Sequence, residues 1–223
     1  MDLRLAAHRA SHDRHARGAR DLRRDGGRYR RCGDQRDIRP RRLEGQLARD
    51  AAGDEQYRVA RIASVVRENL NHLQPWMPWA VDDYSVDSAK EWIQRTLSEF
   101  AEDGRFNAII LVDEKPVGAI GFHNLNTANG SADIGYWIAK PYEGRGMITR
   151  CCRVLIDYLF EVRKLNRIQI NCNIENKRSR AVPERLGFTL EGVHRQVEFV
   201  NGRFGDWAVY AMLRDEWSQN RPR

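Results

Sequence analysis

The chain of 223 residues lacks several features that mark large classes of protein. No apolar run approaches the roughly 20 residues of a membrane-spanning helix, and no secretory signal pattern is present. The four cysteines, at positions 32, 151, 152 and 172, form no C-x-x-C motif and have no histidine at ligand spacing. These absences argue against a membrane-spanning, secreted or structural zinc protein. We expect a cytoplasmic protein that binds no metal.

Lysine is missing from the first fifty residues, which are instead rich in arginine. Residues 1–50 hold 15 arginines and 8 acidic residues, whereas residues 51–223 balance 23 basic against 23 acidic residues. The formal net charge of +7 therefore belongs to this N-terminal arm. We predict an arm over residues 1–50, a single folded domain over 51–217 and a short tail over 218–223.

The arm has two interpretations. Clustered arginines can contact the phosphates of ribosomal RNA or an acidic protein, so any nucleic-acid binding would depend on the arm alone. Alternatively the arm is disordered, or is a stretch translated from a wrong start or in a shifted frame, because it has almost no apolar periodicity and few aromatic residues. Its eight acidic residues argue against a mitochondrial transit peptide.

A glycine-rich turn at residues 143–149, with the sequence EGRGMIT, is the most informative segment. It lacks the third glycine of a dinucleotide fingerprint and the Lys-Ser/Thr ending of a P-loop. Two glycines one residue apart at the start of a helix nevertheless let the backbone approach a bound group and direct free N–H donors towards it. The segment therefore predicts a phosphate-binding turn of another kind.

Apolar periodicity predicts a mixed α/β fold around this turn. A strand, a helix and a strand in succession indicate a parallel strand pair, whereas strands joined by short turns indicate antiparallel hairpins. The predicted helices are 54–71, 87 or 88 to 102, 147–163 and 176 or 177 to 186. The predicted strands are 106–112, 116–125, 132–139, 167–173, 188–199 and 206–213, the last two joined about Asn201-Gly202.

Five further segments accompany the turn in a fixed order: PWMPW at 75–79, IGYW at 134–137, NKRS at 176–179, ERLGFTLEG at 184–192 and EFVNG at 198–202. With them, residues 55–217 resemble the GNAT family of acetyl-CoA-dependent N-acetyltransferases, and within it the ribosomal-protein N-terminal acetyltransferases of the RimJ/RimL type. The family turn reads roughly Gln/Arg-x-x-Gly-x-Gly/Ala. Only Gly144 and Gly146 match it strictly, because Glu143 and Ile148 stand at its first and last positions.

The resemblance implies a single domain whose central sheet is mostly antiparallel, with one splayed parallel strand pair, flanked by helices. The family's first strand is expected before the helix at 54–71. Residues 37–43 are the only candidate, and Pro40 with its neighbouring arginines makes them a poor one.

Acetyl-CoA is the implied co-substrate, and no metal is implied. The resemblance places its pyrophosphate on the turn, with a charge-assisted contact from Arg145. It places the pantetheine arm against a bulged strand, where one backbone N–H can serve as the oxyanion donor. The implied cofactor-binding residues are Trp137, Ile138, Ala139, Gly144, Arg145, Gly146, Met147, Ile148, Thr149 and Asn176, the last of which holds the pantetheine amides.

Two residues carry the implied chemistry. A substrate ammonium must lose a proton before it attacks the thioester, and the resemblance assigns this general-base role to Glu198. Many family members protonate the leaving thiolate with a tyrosine at the position of Pro183, which has no donor, so Ser179 becomes the candidate acid. Glu198 can equally be a solvated or salt-bridged strand residue, and Ser179 can simply cap the short helix.

The acceptor is least defined by the sequence. Trp76 and Trp79 either line the acceptor pocket or anchor their loop. The resemblance implies direct transfer of acetyl to the α-amino group of a protein N-terminus, typically that of a ribosomal protein. A small amine, a polyamine or an aminoacyl-nucleotide antibiotic would use the same machinery, and a non-catalytic acyl-CoA-binding module would not need Glu198. A homodimer is also possible.

Overall fold

A seven-stranded mixed sheet organises the residues that the computed structural model describes, which are 3–4, 54–102 and 105–220. The strand order is β1-β2-β3-β4-β5-β7-β6, and only β4 and β5 pair in parallel. This arrangement confirms the predicted mixed α/β fold with one parallel pair. The strands are β1 (Leu3–Arg4), β2 (Phe106–Val112), β3 (Lys115–Asn126), β4 (Ser131–Ile138), β5 (Arg167–Asn173), β6 (Thr189–Val200) and β7 (Arg203–Leu213).

Six helices flank this sheet in the described part of the chain. They are α1 (Asp54–Glu68), α2 (Leu70–Leu73), α3 (Val86–Ala101), α4 (Met147–Glu161), α5 (Lys177–Arg185) and α6 (Arg214–Asn220). None of the described helices is long and apolar enough to cross a membrane.

Two predicted helix boundaries were wrong. The helix predicted over 54–71 is divided, because Asn69 adopts a non-helical conformation with φ −118° between α1 and α2. Helix α3 begins after Ser85, not at residue 87 or 88. The Ser85 hydroxyl accepts a hydrogen bond from the Ser88 backbone N–H, and the Ser88 side chain accepts one from the Ser85 N–H, which forms a capping box.

Both predicted hairpin turns adopt the left-handed backbone that a two-residue turn requires. The turn between β2 and β3 has φ 49° at Asp113 and 62° at Glu114, and the turn between β6 and β7 has φ 50° at Asn201 and 75° at Gly202. Positive φ at both central residues matches the right-handed twist of the flanking strands. Each turn therefore sets the register of the first pairs beside it, and an irregularity further along each hairpin then shifts that register.

The edge beside β2 is occupied by the first residues of the chain. Leu3 pairs with Ile110 and Arg4 with Ile109 in antiparallel fashion. The expected first-strand candidate, 37–43, lies outside the described residues, as does the rest of the arm apart from residues 3–4. The sheet edge is thus completed by two residues that precede the candidate segment.

Two hydrophobic clusters cover the two faces of the sheet. One contains the apolar stripe of α4, including Ile156 and Leu159, together with sheet residues and side chains of α5 and α6. The other contains α1, α2 and α3, with Ile109 and Trp137 of the sheet packed against it. Helices therefore cover both faces of the sheet and hold its strands in place. The candidate site lies where these strands end.

Packing of α4 against the sheet can be tested at Leu159, which is fully buried. Leu159→Ala is expected to lower the free energy of unfolding by about 2–5 kcal/mol, because it removes apolar contacts and leaves a cavity. Val154 on the same helix is 48% exposed, so Val154→Ala should change stability by roughly 0.5 kcal/mol or less. Urea unfolding followed by circular dichroism measures both. Equal small losses would contradict the described packing.

Candidate active site

A cleft opens where the two parallel strands diverge. β4 and β5 pair only from Ser131 opposite Arg167 to Asp133 opposite Gln169. Beyond Asp133 the strand β4 keeps its partner β3 on one side only. We call the opening between the diverging halves of β4 and β5 the interstrand cleft.

Backbone groups of β4 line this cleft. Hydrogen-bonded pairs alternate along an antiparallel ladder. Because Ala139 N donates to Val117 O at 2.7 Å, the N–H and C=O groups of Trp137 and Ala139 face β3. The corresponding groups of Tyr136 and Ile138 face the cleft. An extended ligand arm can therefore pair with β4 there as an added strand would.

The prediction of a bulge in β4 near Trp137 was wrong. The register between β3 and β4 is unbroken from Gly118 opposite Ile138 to His123 opposite Asp133. The free backbone groups arise from separation of β4 from β5 and not from a bulge. Of the three residues proposed for this role, only Ile138 directs its N–H into the cleft.

The glycine turn follows β4 and opens α4. Gly144 has φ 71°, and Gly146, the residue before the helix, has φ 68°. A Cβ atom at Gly144 would meet no atom within 4 Å, so the turn borders open space. Arg150 N makes the first helical hydrogen bond to Gly146 O at 3.1 Å. The N–H groups of Met147, Ile148 and Thr149 precede that bond and have no helical acceptor, which suits an anion at this position.

Buried apolar side chains fix the turn. Met147 and Ile148 are 6% and 8% exposed, and they anchor the first turn of α4 in the core. The Arg145 guanidinium lies over the Tyr142 ring, 5.1 Å from its centroid. The anion-binding amides are therefore held by packing and do not depend on a bound group for their position.

Glu143 is the centre of an ionic cluster that the sequence did not predict. Its carboxylate is largely buried, with 13% of the side chain exposed, and contacts Arg178 of α5. Lys140 Nζ lies 3.3 Å and His72 Nε2 3.6 Å from its oxygens. The only sequence signal was the departure of Glu143 from the family turn. This cluster connects the end of β4 to both α2 and α5.

Ser179 lies where α5 meets the two diverging strands. Its hydroxyl donates to Cys172 Sγ at 3.2 Å and lies 3.4 Å from Tyr136 Oη, while Tyr136 Oη donates to the Ser179 carbonyl at 3.0 Å. Burial raises the pKa of both Tyr136 and Cys172, so both groups are neutral at physiological pH. Asn176 caps α5 by accepting from Ser179 N at 3.0 Å. Tyr136 thus joins the polar group around Ser179.

Glu198 lies on β6 with its carboxylate held in place. Trp207 Nε1 donates to Glu198 Oε2 at 3.0 Å. An irregularity between His194 and Glu198, with Gln196 at φ 52°, shifts the register of β6 just before this residue. Gln196 N donates to Asp206 Oδ1 at 2.8 Å and stabilises the irregularity. The register shift places Glu198 opposite Gly205, where an unbroken register would place Gln196.

The two tryptophans predicted for the acceptor side occupy different positions. Trp79 is 39% exposed and its ring centroid lies 5.9 Å from that of Trp137, so one acceptor candidate contacts β4 directly. A surface cavity of about 270 Å³ separates this loop from the β6–β7 turn. Neither Trp76 nor Trp79 is among its lining residues, which are Gln74, Pro78, Ala80, Val81, Asp82, Phe199, Val200 and Asn201.

The described residues contain no set of metal ligands. Within residues 54–102 and 105–220, no group of three or more His, Cys, Asp or Glu side chains is placed to hold a metal ion. Cys151 and Cys152 are 1% and 0% exposed and pack as small apolar residues. Burial raises the pKa of Cys151 to about 11, so its thiol is protonated and unreactive at neutral pH.

An α/β sheet with splayed parallel strands, an anion-binding turn and a pairable strand edge fits a nucleotide thioester, and defines an acyl-CoA-binding class of protein. The comparisons agree: residues 56–189 match the acetyltransferase (GNAT) domain. The chain belongs to the GNAT acetyltransferase family. Its co-substrate is acetyl-CoA.

Three relatives illustrate the match. The putative ribosomal N-acetyltransferase YdaF of Bacillus subtilis is 41% identical over 158 residues, which cover 70% of this chain and 86% of the relative. A solved probable acetyltransferase is 40% identical with a TM-score of 0.70, covering 73% of this chain and 91% of that one. RimL, a ribosomal L7/L12 α-N-protein acetyltransferase solved with coenzyme A, is 25% identical with a TM-score of 0.68, covering 72% and 91%.

The role of the glycine turn can be tested at Gly146. Gly146→Val places a β-branched residue at φ 68°, where the added Cβ would also lie 3.1 Å from Arg150 Nη1. Strain of about 1–2 kcal/mol at the turn should raise KM for acetyl-CoA roughly tenfold. Gly192→Val on β6 is the matched control, because its Cβ meets nothing within 4 Å and its φ is ordinary. Steady-state kinetics gives KM, and a normal KM in Gly146→Val would place the phosphates elsewhere.

Proposed function

We propose that this acetyltransferase modifies the α-amino group of a protein N-terminus, with a ribosomal protein as substrate. The observation that carries this proposal is the 41% identity over 158 residues to a relative named as a putative ribosomal N-acetyltransferase. The solved RimL structure, whose name specifies α-N-acetylation of a ribosomal protein, supports it at lower identity. The geometry of the site supports the roles proposed for individual residues in the reaction.

The turn and β4 hold acetyl-CoA in this proposal. The N–H groups at the start of α4, from Gly144 to Thr149, bind the pyrophosphate with help from the helix dipole. The pantetheine arm pairs with the cleft-facing groups of Tyr136 and with the N–H of Ile138. The Ile138 N–H then donates to the carbonyl oxygen of the thioester and stabilises the negative charge that develops as the amine attacks. Asn176, which already caps α5, lies beside the arm.

Glu198 acts as the general base. Its carboxylate, directly or through a water, takes a proton from the substrate ammonium, and the neutral nitrogen attacks the thioester carbon. The hydrogen bond from Trp207 Nε1 occupies one carboxylate oxygen and leaves the other to accept the proton. A pure acyl-CoA-binding module would have no need of a carboxylate held in this way.

Ser179 assists departure of the coenzyme thiolate. As the carbon–sulfur bond breaks, the sulfur takes a proton from the Ser179 hydroxyl. The Tyr136 hydroxyl and Cys172 thiol, both neutral because burial raises their pKa, accept hydrogen bonds from the Ser179 hydroxyl and hold it in place. The serine regains its proton from solvent after the coenzyme thiol has left. A thiolate leaves readily, so this assistance need not be strong.

The cavity between the Trp79 loop and the β6–β7 turn is the proposed acceptor site. Its lining is mainly apolar and amide in character, with Asp82 as its one carboxylate among the described residues. A polyamine with several ammonium groups would be better matched by several carboxylates. A peptide terminus carries one positive charge and apolar or amide groups behind it, which favours the peptide.

Mass spectrometry tests the substrate class. The protein and acetyl-CoA are incubated with purified ribosomal proteins and, separately, with a panel of small amines that includes spermidine. A mass gain of one acetyl group on the N-terminal peptide of a ribosomal protein is expected. Exclusive modification of the small amines would contradict the proposed acceptor.

The base is tested by Glu198→Gln. Loss of the proton acceptor is expected to lower kcat by roughly 10²-fold. Coenzyme A affinity, measured by calorimetry, should stay unchanged because the turn is untouched. Glu191→Gln is the matched control, since Glu191 lies on the same strand but pairs with Arg167. Normal activity of Glu198→Gln at neutral pH would assign the base to another residue.

The arm is tested by deleting residues 1–50. Loss of protein acetylation with unchanged coenzyme A binding would show that the arm docks the partner. Unchanged acetylation would support the interpretation in which the arm has no role in the reaction.

A further inference from the structure

Helix α2 closes one end of the open edge of β4. His72 Nε2 lies 3.2 Å from the Ile138 carbonyl oxygen and donates to it. Asn69 Oδ1 accepts from Lys140 N at 2.8 Å. Both backbone groups face away from β3, on the side where the interstrand cleft opens. Two side chains therefore make the hydrogen bonds that a neighbouring strand would make.

Burial and hydrogen bonds hold the Asn69 side chain in place for its contact with the Lys140 N–H. It is 8% exposed and is one of two buried polar residues in the described core. Its Nδ2 donates to Val65 O at 2.8 Å while Oδ1 takes the Lys140 N–H. The break between α1 and α2 falls at this residue, which turns the side chain towards β4. A buried amide with both ends engaged holds one orientation.

The His72 ring is also held in one position. Its ring is only partly exposed, lies beside Glu143 and faces Lys140 and Arg178. Burial, with the charges of Lys140 and Arg178, lowers its pKa, so the ring is neutral at physiological pH. The contact with a carbonyl oxygen requires the proton on Nε2. The neutral ring thus presents a fixed donor to Ile138 O.

These contacts limit where an extended arm can pair with β4. With Ile138 O and Lys140 N engaged, the groups left open towards the cleft are those of Tyr136 and the N–H of Ile138. We propose that Asn69 and His72 are positioning residues that restrict the pantetheine arm of acetyl-CoA to a single hydrogen-bonding register on β4. This inference rests on the proposed placement of that arm along β4.

The register matters because strand pairing slips in steps of two residues. One such step moves the arm by about 6.5–7 Å along β4. A thioester displaced by that distance would be out of reach of the Ile138 N–H. Removing the His72 donor would expose Ile138 O as an additional acceptor and permit a second, unproductive register.

An unproductive binding mode has a distinctive kinetic signature. It competes with the productive mode for the same site, so it lowers kcat and KM by the same factor and leaves kcat/KM unchanged. A variant that only loosens the site would lower kcat/KM instead. The ratio of the two constants therefore separates a register effect from general damage.

The test compares His72→Leu with His72→Gln. The leucine variant lacks a donor, whereas the glutamine variant retains an N–H₂ group at a similar distance from the backbone. In His72→Leu, kcat and KM for acetyl-CoA should both fall about two- to tenfold, the range expected when one new hydrogen bond stabilises the wrong register. His72→Gln should behave as the unmodified protein does. Initial rates over a range of acetyl-CoA concentrations give both constants.

Three results would overturn the inference: a fall in kcat/KM with KM unchanged or raised, identical behaviour of the leucine and glutamine variants, or unchanged constants in both. If His72→Leu does not fold, as judged by circular dichroism, His72→Ala replaces it with the same expectation. The proposed placement of the pantetheine arm along β4 is tested separately, by Gly146→Val. A normal KM in Gly146→Val would reject the placement, whereas a raised KM there with unchanged His72→Leu constants would reject only the register role.

Discussion

Separation of β4 from β5 after three paired positions is the constraint on which the rest of the site depends. A fully paired sheet would leave no backbone donor or acceptor available to a ligand between these strands. Because β4 stays paired with β3 and both sheet faces are covered by helices, the separated half of β4 remains a straight, ordered edge. The opening is therefore present before a ligand binds. Packing in the rest of the protein offsets the free-energy cost of the unpaired backbone groups of β4.

Side-chain contacts then set the width of that opening. At its inner end the Tyr136 hydroxyl bonds to the Ser179 carbonyl, and at its outer end the Glu143 carboxylate contacts Arg178. Both contacts connect the β4 side of the cleft to α5. The outer contact joins the largely buried Glu143 carboxylate to the exposed side chain of Arg178, so solvent screens it in part. The inner contact is sheltered and better suited to hold the walls at a fixed distance.

The proposed cofactor and acceptor sides of the protein share structural elements. Helix α2 contacts the end of β4 through His72 and leads directly into the loop that carries Trp79. Trp79 in turn packs on Trp137 of β4, and the β6–β7 turn contacts the same loop through Asn201 and Gln74 O. Elements distant in sequence thus meet around one strand, which explains how an amine and a thioester can be brought together.

Sequence alone determined most of the elements, the family and the glycine turn. Local signals suffice for these, because apolar period, turn dipeptides and the Gly144–Gly146 spacing act over a few residues. Tertiary structure alone decided which N–H of residues 137–139 faces the cleft, since that depends on the register between β3 and β4. It also decided the partners of Glu143, His72 and Asn69, because hydrogen bonds and ion pairs between residues about 35 to 71 positions apart follow from packing and not from any local pattern.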